Sequence, residues 1–245
     1  MNKKTLHVFW CKMPRPGNFG DILSPLILNH YGYDVKYAGQ ESADYFCVGS
    51  IAKLASENQT VLGSGIMSRT NKINPHAIWK WVRGPITRDF VVSQGGNRPE
   101  IIGDPALLLP RLIPPKEKKE HKIGIIPHYV DYDYIKELYP KKLYPQYKII
   151  NLLNNDLDKV VKQITDCEKI ISSSLHGIIA AHAYGIPAAW AKFSDKLAGD
   201  GVKFYDHYAS VNLPCELSMI ENPKYTVPEK IDTSEMHDLL VSGDF

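Results

Sequence analysis

The chain has 245 residues, 44% of them hydrophobic and 23% charged, enough for a packed core in one large domain or in two of about 100–130 residues each. Its 29 basic and 27 acidic residues leave a net charge of +2, which excludes a global field drawing it to nucleic acid. No segment approaches the ~20 apolar residues of a bilayer-spanning helix, and Cys11, Cys47, Cys167 and Cys215 fit neither a zinc ribbon nor a C-x-x-C pair.

Residues 5–10 are β-rich, and Lys12, Pro14 and Arg15 stop this apolar run too early for a signal peptide. With four free thiols, the pattern predicts a cytoplasmic protein. A turn at Pro16-Gly17-Asn18-Phe19-Gly20-Asp21 precedes a helix over 21–30, where Ile22, Leu23, Leu26, Ile27 and His30 recur at helical steps. Strands are predicted at 34–38, 44–48, 60–63 and 77–82, with a short helix at 50–56. Gly63-Ser64-Gly65 reads as a tight turn lining a cleft. Pro85 opens a helix running to about residue 94, and Ile101-Ile102 leads into Gly103-Asp104-Pro105. Strand–helix alternation of this kind predicts an α/β fold with parallel sheet.

A proline-rich, charged stretch follows, the composition of a linker over 113–121. It separates an N-terminal α/β unit, 1–112, from a second one over 122–228. The second unit opens with a strand ending in Pro127-His128. Helices at 131–138 and 156–165 and a strand at 147–151 come next. Residues 195–206 read as a glycine-containing loop with two lysines, and 229–245 as a helical tail. Two such units place a ligand site between them, at the C-terminal ends of strands.

The most informative stretch is Ile170-Ile171-Ser172-Ser173-Ser174-Leu175-His176-Gly177. It reads as a buried strand, a serine turn and a helix, with Ser174 as N-cap and Gly185 just past the helix end. His176 then falls in the first helical turn, beside free N–H groups and the positive end of the dipole. Ser173, Ser174 and His176 thus suit an anionic ligand, although helix capping alone explains serines in this place. His128 occupies a strand end. Arg83 offers a planar fork for carboxylate or phosphate at another, while Arg88 reads as one half of a surface ion pair. Lys203 offers a point charge to a phosphate. Asn18 and Asp21 either cap the first helix or face the cleft, where they would suit sugar hydroxyls. No metal constellation stands out, because His176 and His182 are six apart and face different sides of their helix.

The ordered set Gly17-Asn18-Phe19-Gly20-Asp21, Gly63-Ser64-Gly65, Val82-Arg83-Gly84-Pro85, Gly103-Asp104-Pro105, Gly124-Ile125-Ile126-Pro127-His128 and Ser173-Ser174-Leu175-His176-Gly177 resembles the polysaccharide pyruvyltransferase family. The likeness runs from about residue 5 to 210 and is nearest to the bacterial ketal-forming enzymes of exopolysaccharide synthesis. It implies two Rossmann-like α/β domains facing a cleft, similar to GT-B glycosyltransferases. It implies transfer of a pyruvyl group from phosphoenolpyruvate to two sugar hydroxyls, with no cofactor. His176 is then the acid/base residue. Arg83, His128, Ser173, Ser174 and Lys203 form the donor side, and Asn18 and Asp21 the acceptor side. Many members carry arginine immediately before the Leu-His pair, where this chain has Ser174. Arg83, Lys203 or the helix N-terminus would stand in for it.

Phosphoenolpyruvate reacts only once C3 is protonated, which opens C2 to a hydroxyl, and a protonated histidine supplies that proton. The acceptor is a sugar or a lipid-linked oligosaccharide, the latter allowing a peripheral membrane contact. Two other readings remain open at this point: a GT-B glycosyltransferase using a nucleotide sugar, and a non-catalytic glycan- or anion-binding relative.

Overall fold

The computed structural model describes residues 3–15 and 17–245, so Pro16 of the first turn lies outside the described residues. The first sheet is built from β1 (Thr5–Phe9), β2 (Asp34–Tyr37), β3 (Tyr45–Phe46), β4 (Thr60–Leu62), β5 (Ile78–Val82) and β6 (Ile101–Ile102), with α1 (Leu23–His30), α2 (Pro85–Ser93) and α3 (Leu109–Leu112) between or after them. The second comprises β7 (His121–Ile126), β8 (Tyr147–Ile149), β9 (Cys167–Ser172) and β10 (Ala188–Trp190), with α4 (Tyr132–Leu138), α5 (Leu157–Thr165), α6 (Leu175–Ala183) and α7 (Val202–Ser210). Helix α8 (Ser234–Ser242) follows. All pairings within the two sheets are parallel, and the expected α/β class with parallel sheet is borne out.

The strand orders are β2-β1-β3-β4-β5-β6 and β10-β9-β7-β8. Each order reverses direction once, at β1/β3 and at β9/β7. Ligands in open parallel sheets bind at such reversals, beyond the carboxyl ends of the strands.

One apolar core joins the two sheets, with Leu6, Val8 and Trp81 in the same cluster as Ile126, Ile170 and Ile178. A second cluster, including Phe46, Val61 and Trp79, covers the other face of the first sheet. Trp79 and Trp81 are two apart, yet they serve opposite faces. The cause is an irregularity in β5: Val61 pairs with Trp79 and Leu62 with Trp81, leaving Lys80 as an extra residue. The bulge turns Trp81 toward the second sheet. There its indole N–H donates to the Gly103 carbonyl at 2.6 Å and fixes the turn that carries Asp104.

Several expected elements differ in detail. The helix at 50–56 is a single 3₁₀ turn, Ala52–Leu54. The proline-rich stretch is docked rather than free: the Tyr184 hydroxyl donates to the Ile113 carbonyl (2.7 Å), and Lys116 N–H to Thr165 Oγ1 (2.9 Å). The loop assigned to 195–206 ends early, because Val202–Ser210 is helix α7, packed on α2. Its inner face holds Lys203, Asp206 and His207, so the helix carries little of the apolar periodicity that marks one in sequence. The C-terminal tail returns to the first half, where the Tyr33 hydroxyl donates to the Leu240 carbonyl at 2.7 Å. No helix among the described residues is long and apolar enough to cross a membrane.

Candidate active site

A cleft of about 260 Å³ lies at both strand-order reversals at once. From the first sheet, Cys11, Asn18 and Asp21 reach it after β1, and Ser50 and Ile51 after β3. From the second, His128 and Tyr129 follow β7, and Ser174 and His176 follow β9. Register aligns the last two walls. Ile126 pairs with Ser172, the Ser173 N–H donates to the Ile126 carbonyl (3.2 Å), and the His128 N–H donates to Ser173 Oγ (2.8 Å). Ser173 is therefore fully buried and holds His128 rather than facing the cleft.

Helix α6 starts where the sequence places it, but Ser174 caps it by backbone only, since its side chain accepts no bond from the first turn. The hydroxyl is thereby left to the cleft, and the first-turn N–H groups have no side-chain cap. At the other end Gly185 adopts φ +65°, with its N–H on His182 and the Ile186 N–H on Ala181, a Schellman closure. Gly177 presses on Ser172 and Ile126, so the helix lies tight on the sheet and His176 is held at its mouth.

His176 is 6% exposed and lines the cleft. Gly20 lies against its ring: a Cβ built there would fall 1.9 Å from Nδ1. On the other edge Nε2 is buried 3.7 Å from Asp104 Oδ2, and neither atom has a hydrogen-bond partner. Asp104 is fully buried, and its second oxygen accepts from the Ala106 N–H at 2.9 Å.

Asp21 does not cap α1; that position is Ile22, with no side-chain cap bond. Instead Asn18 Nδ2 donates to Asp21 Oδ2 at 3.1 Å inside the cleft. Burial raises the Asp21 carboxyl above its ordinary range, against the opposing pull of His176, the Asn18 bond and Lys203. Lys203, in the first turn of α7, is pushed down to about 8 by burial and by Arg83, with Asp21 working the other way. Burial and the Lys203 charge push His128 down to about 4, leaving it a neutral imidazole whose buried Nδ1 has no partner. Cys11 is unreactive by the same logic, its thiol raised to about 11 by burial and Asp21. The cleft thus gathers a cation, a carboxylate that holds protons readily, two imidazoles and a helix N-terminus.

Arg83 stands one layer behind. It is fully buried and absent from the lining, with Nε on Asp206 (3.0 Å), Nη1 on Ser50 Oγ (2.9 Å) and Nη2 on the Ile66 carbonyl (2.8 Å). Its charge is met by Asp206, which also takes bonds from Thr87. Gly63-Ser64-Gly65 likewise stays off the cleft. Ser64 bonds Gly49 and Ile51, and Gly65 leaves space for the Arg83 guanidinium. Arg88 pairs with Asp89 on the surface, as its place in the sequence suggests.

One group with metal-like spacing, Glu120, His121 and Asp166, was not visible from sequence spacing and lies away from the cleft. Burial raises the Asp166 carboxyl, but Lys148 and Lys116 outweigh it and hold it at about 2, so these lysines already occupy it. Sequence reasoning also missed Asp104, Gly20 and Asp206 as parts of the site. Gly20 and Asp104 stand inside the quoted motifs, and only the fold shows what each touches.

Comparison with known proteins places the site in context. Residues 73–191 match a family model described as polysaccharide pyruvyl transferase. That span contains Arg83, Asp104, His128, Ser173, Ser174 and His176, whereas Asn18, Asp21 and Lys203 lie outside it. The chain is also 38% identical over 164 residues to "Uncharacterized protein L143" of Acanthamoeba polyphaga mimivirus, a match covering 65% of this chain and 57% of that relative. The chain therefore spans less than two thirds of the length of the curated relative it matches.

Proposed function

We propose that the protein, whose residues 73–191 match a family model described as polysaccharide pyruvyl transferase, transfers a pyruvyl group from phosphoenolpyruvate to two hydroxyls of a sugar, forming a cyclic ketal in glycan synthesis. The observation that carries the reading is the convergence of His176, His128, Ser174 and Lys203 on one cleft at the N-terminus of α6. Lys203 and the uncapped first turn of α6 receive the donor's phosphate and carboxylate, in the place where many members present an arginine. Neutral His128 accepts or donates one hydrogen bond to the donor without adding charge. On the opposite wall, Asn18 and Asp21 take the acceptor hydroxyls.

His176 delivers a proton to C3 of phosphoenolpyruvate, and C2 becomes oxocarbenium-like. A sugar hydroxyl bonds to C2 as its proton passes to a base. Asp21, whose carboxyl is raised by burial, suits that role. Phosphate then leaves with the C2–O bond electrons, and the second hydroxyl closes the ketal as its proton passes to the deprotonated His176. Two parallel sheets meeting at one cleft support a GT-B-like arrangement, with the first half on the acceptor side and the second on the donor side. Four free cysteines support work in a reducing compartment such as the cytoplasm. A lipid-linked acceptor would bring the protein to a membrane surface.

The test is a binding titration with phosphoenolpyruvate and, separately, with nucleotide sugars, followed by phosphate release in the presence of an acceptor panel. Saturable phosphoenolpyruvate binding, with release lost in His176→Ala by about 10²–10⁴-fold, is expected. A nucleotide sugar binding where phosphoenolpyruvate does not would replace this reading with glycosyl transfer.

A further inference from the structure

Asp104 and His176 present a matched pair of unsatisfied atoms. Asp104 Oδ2 and His176 Nε2 are both buried and without a partner, and they face each other at 3.7 Å. Leaving a carboxylate oxygen or a ring nitrogen buried and unpaired is costly, so two such atoms rarely stand beside each other without use. Closing the gap to a hydrogen bond takes roughly 0.8 Å of ring movement. The carboxylate itself cannot drift. Its Oδ1 is held by the Ala106 N–H, and its turn is pinned by Trp81 Nε1 on the Gly103 carbonyl.

We infer that Asp104 is the positioning residue for His176: it accepts the Nε2–H, fixes that tautomer, and commits Nδ1 to the cleft. The ring is then held by Asp104 at Nε2 and by Gly20, which lies against Nδ1, Cγ and Cε1. Without a carboxylate at Nε2, the imidazole is free to carry its proton on either nitrogen, and half of the states present the wrong atom to a reactant. This inference rests on the proposed function only for its catalytic consequence; the tautomer stands on geometry alone.

The deciding experiment is ¹⁵N NMR of histidine-labelled protein, with His176 picked out of the nine histidines by comparison with His176→Gln. It is recorded on the high-pH plateau of the His176 shifts, for the wild type and for Asp104→Asn. The asparagine keeps an oxygen for the Ala106 N–H but turns an amine toward Nε2. The expected result is an Nε2–H signature in the wild type and a shift toward Nδ1–H in Asp104→Asn. The same variant should lower kcat for transfer by at least about tenfold while leaving KM for phosphoenolpyruvate within about threefold. An Nδ1–H tautomer in the wild type overturns the inference even if the variant does not fold, and so do identical signatures in the two proteins. Absence of transfer in the wild type counts against the proposed function alone, because the spectra decide the tautomer in the same sample.

Discussion

Gly20 and His176 occupy a space that fits a glycine and a ring but not an added methyl group. A Cβ at Gly20 would lie 1.9 Å from Nδ1, 2.2 Å from Cγ and 2.5 Å from Cε1. The contact crosses the cleft from the first half to the second, so the turn after β1 sets the plane of an imidazole carried on α6. Backbone strain is not the reason for glycine here, since Gly20 lies outside the left-handed region. Close approach is the whole reason.

Gly20→Ala should therefore act on His176 as well as on the fold. The alanine forces the ring away by more than an ångström, a displacement that costs about 100-fold in an oriented reaction. Overpacking of this size costs about 1–3 kcal/mol of stability. Phosphate release with saturating donor, set beside a urea midpoint, separates the two effects. Wild-type turnover in Gly20→Ala would show that the ring has room the structure denies it.

Arg83 gives a prediction of the opposite kind. Its side chain is fully buried with Asp206, and both ends of the pair are tied further, to Ser50, Ile66 and Thr87. Removing one member of such a pair leaves an uncompensated buried charge and costs about 3–5 kcal/mol. Arg83→Ala should lower the unfolding free energy read from a urea titration by that amount. Donor affinity of the remaining folded protein should change little, because the guanidinium does not line the cleft. A variant with wild-type stability and tenfold weaker donor binding would restore Arg83 as a direct contact.

Lys203 links donor binding to pH. Burial and Arg83 hold it at about 8 instead of its ordinary 10.5, so its charge fades as the pH rises through 8. Donor affinity should weaken across that value. Lys203→Met should bind about 10–100-fold more weakly below it, with little pH dependence. Stability moves the other way. Between about 8 and 10.5 the unfolded chain holds the extra proton, so folding becomes more favourable as the pH rises. Calorimetric titration with phosphoenolpyruvate from about pH 6.5 to 9.5 reads the binding arm. An affinity that stays level through pH 8 in the wild type would remove Lys203 from the donor's contacts.

What the sequence shows and what it hides follow from where each element finds its partners. Helix α6 was legible at both ends, because Gly185 and the serine turn are local chemistry, and the β7 and β9 strands were legible as apolar runs. Helix α7 was not, since half of its buried residues are polar: Lys203 turns to the cleft, Asp206 to Arg83, and His207 to His182. Asn18 and Asp21 were assigned to the right loop, but only the fold shows that they bond each other instead of capping α1. Asp104 was the hardest to read. Its role depends on a bulge at Lys80, on Trp81 reaching Gly103, and on a histidine 72 positions later in the chain. No local spacing encodes that meeting.

A buried histidine pair sets the acid limit of the fold. His182 Nε2 donates to the Thr226 carbonyl (3.2 Å), so its Nδ1 must accept, and His207 Nε2–H supplies the bond at 3.0 Å. Both rings are neutral, and a proton added to His182 would set N–H against N–H. Burial pushes His182 down to about 4. His207 falls well below its ordinary value through burial and through the charges of His182, Arg83 and His176. Between about 6.5 and 4 the unfolded chain binds protons that the folded one refuses, so stability is whole above 6.5 and drains as the pH falls. The gap for His182 alone is worth on the order of 3 kcal/mol. Asp21, raised by burial, works in the opposite direction but equally in any variant that keeps it. Urea unfolding at about pH 7.5 and 5 should show the wild type losing about 2 kcal/mol per buried histidine. The His182→Gln/His207→Gln double variant should lose much less over the same interval, whatever its starting stability. Equal losses in the two proteins would place the acid sensitivity elsewhere, with His128 the next group to replace.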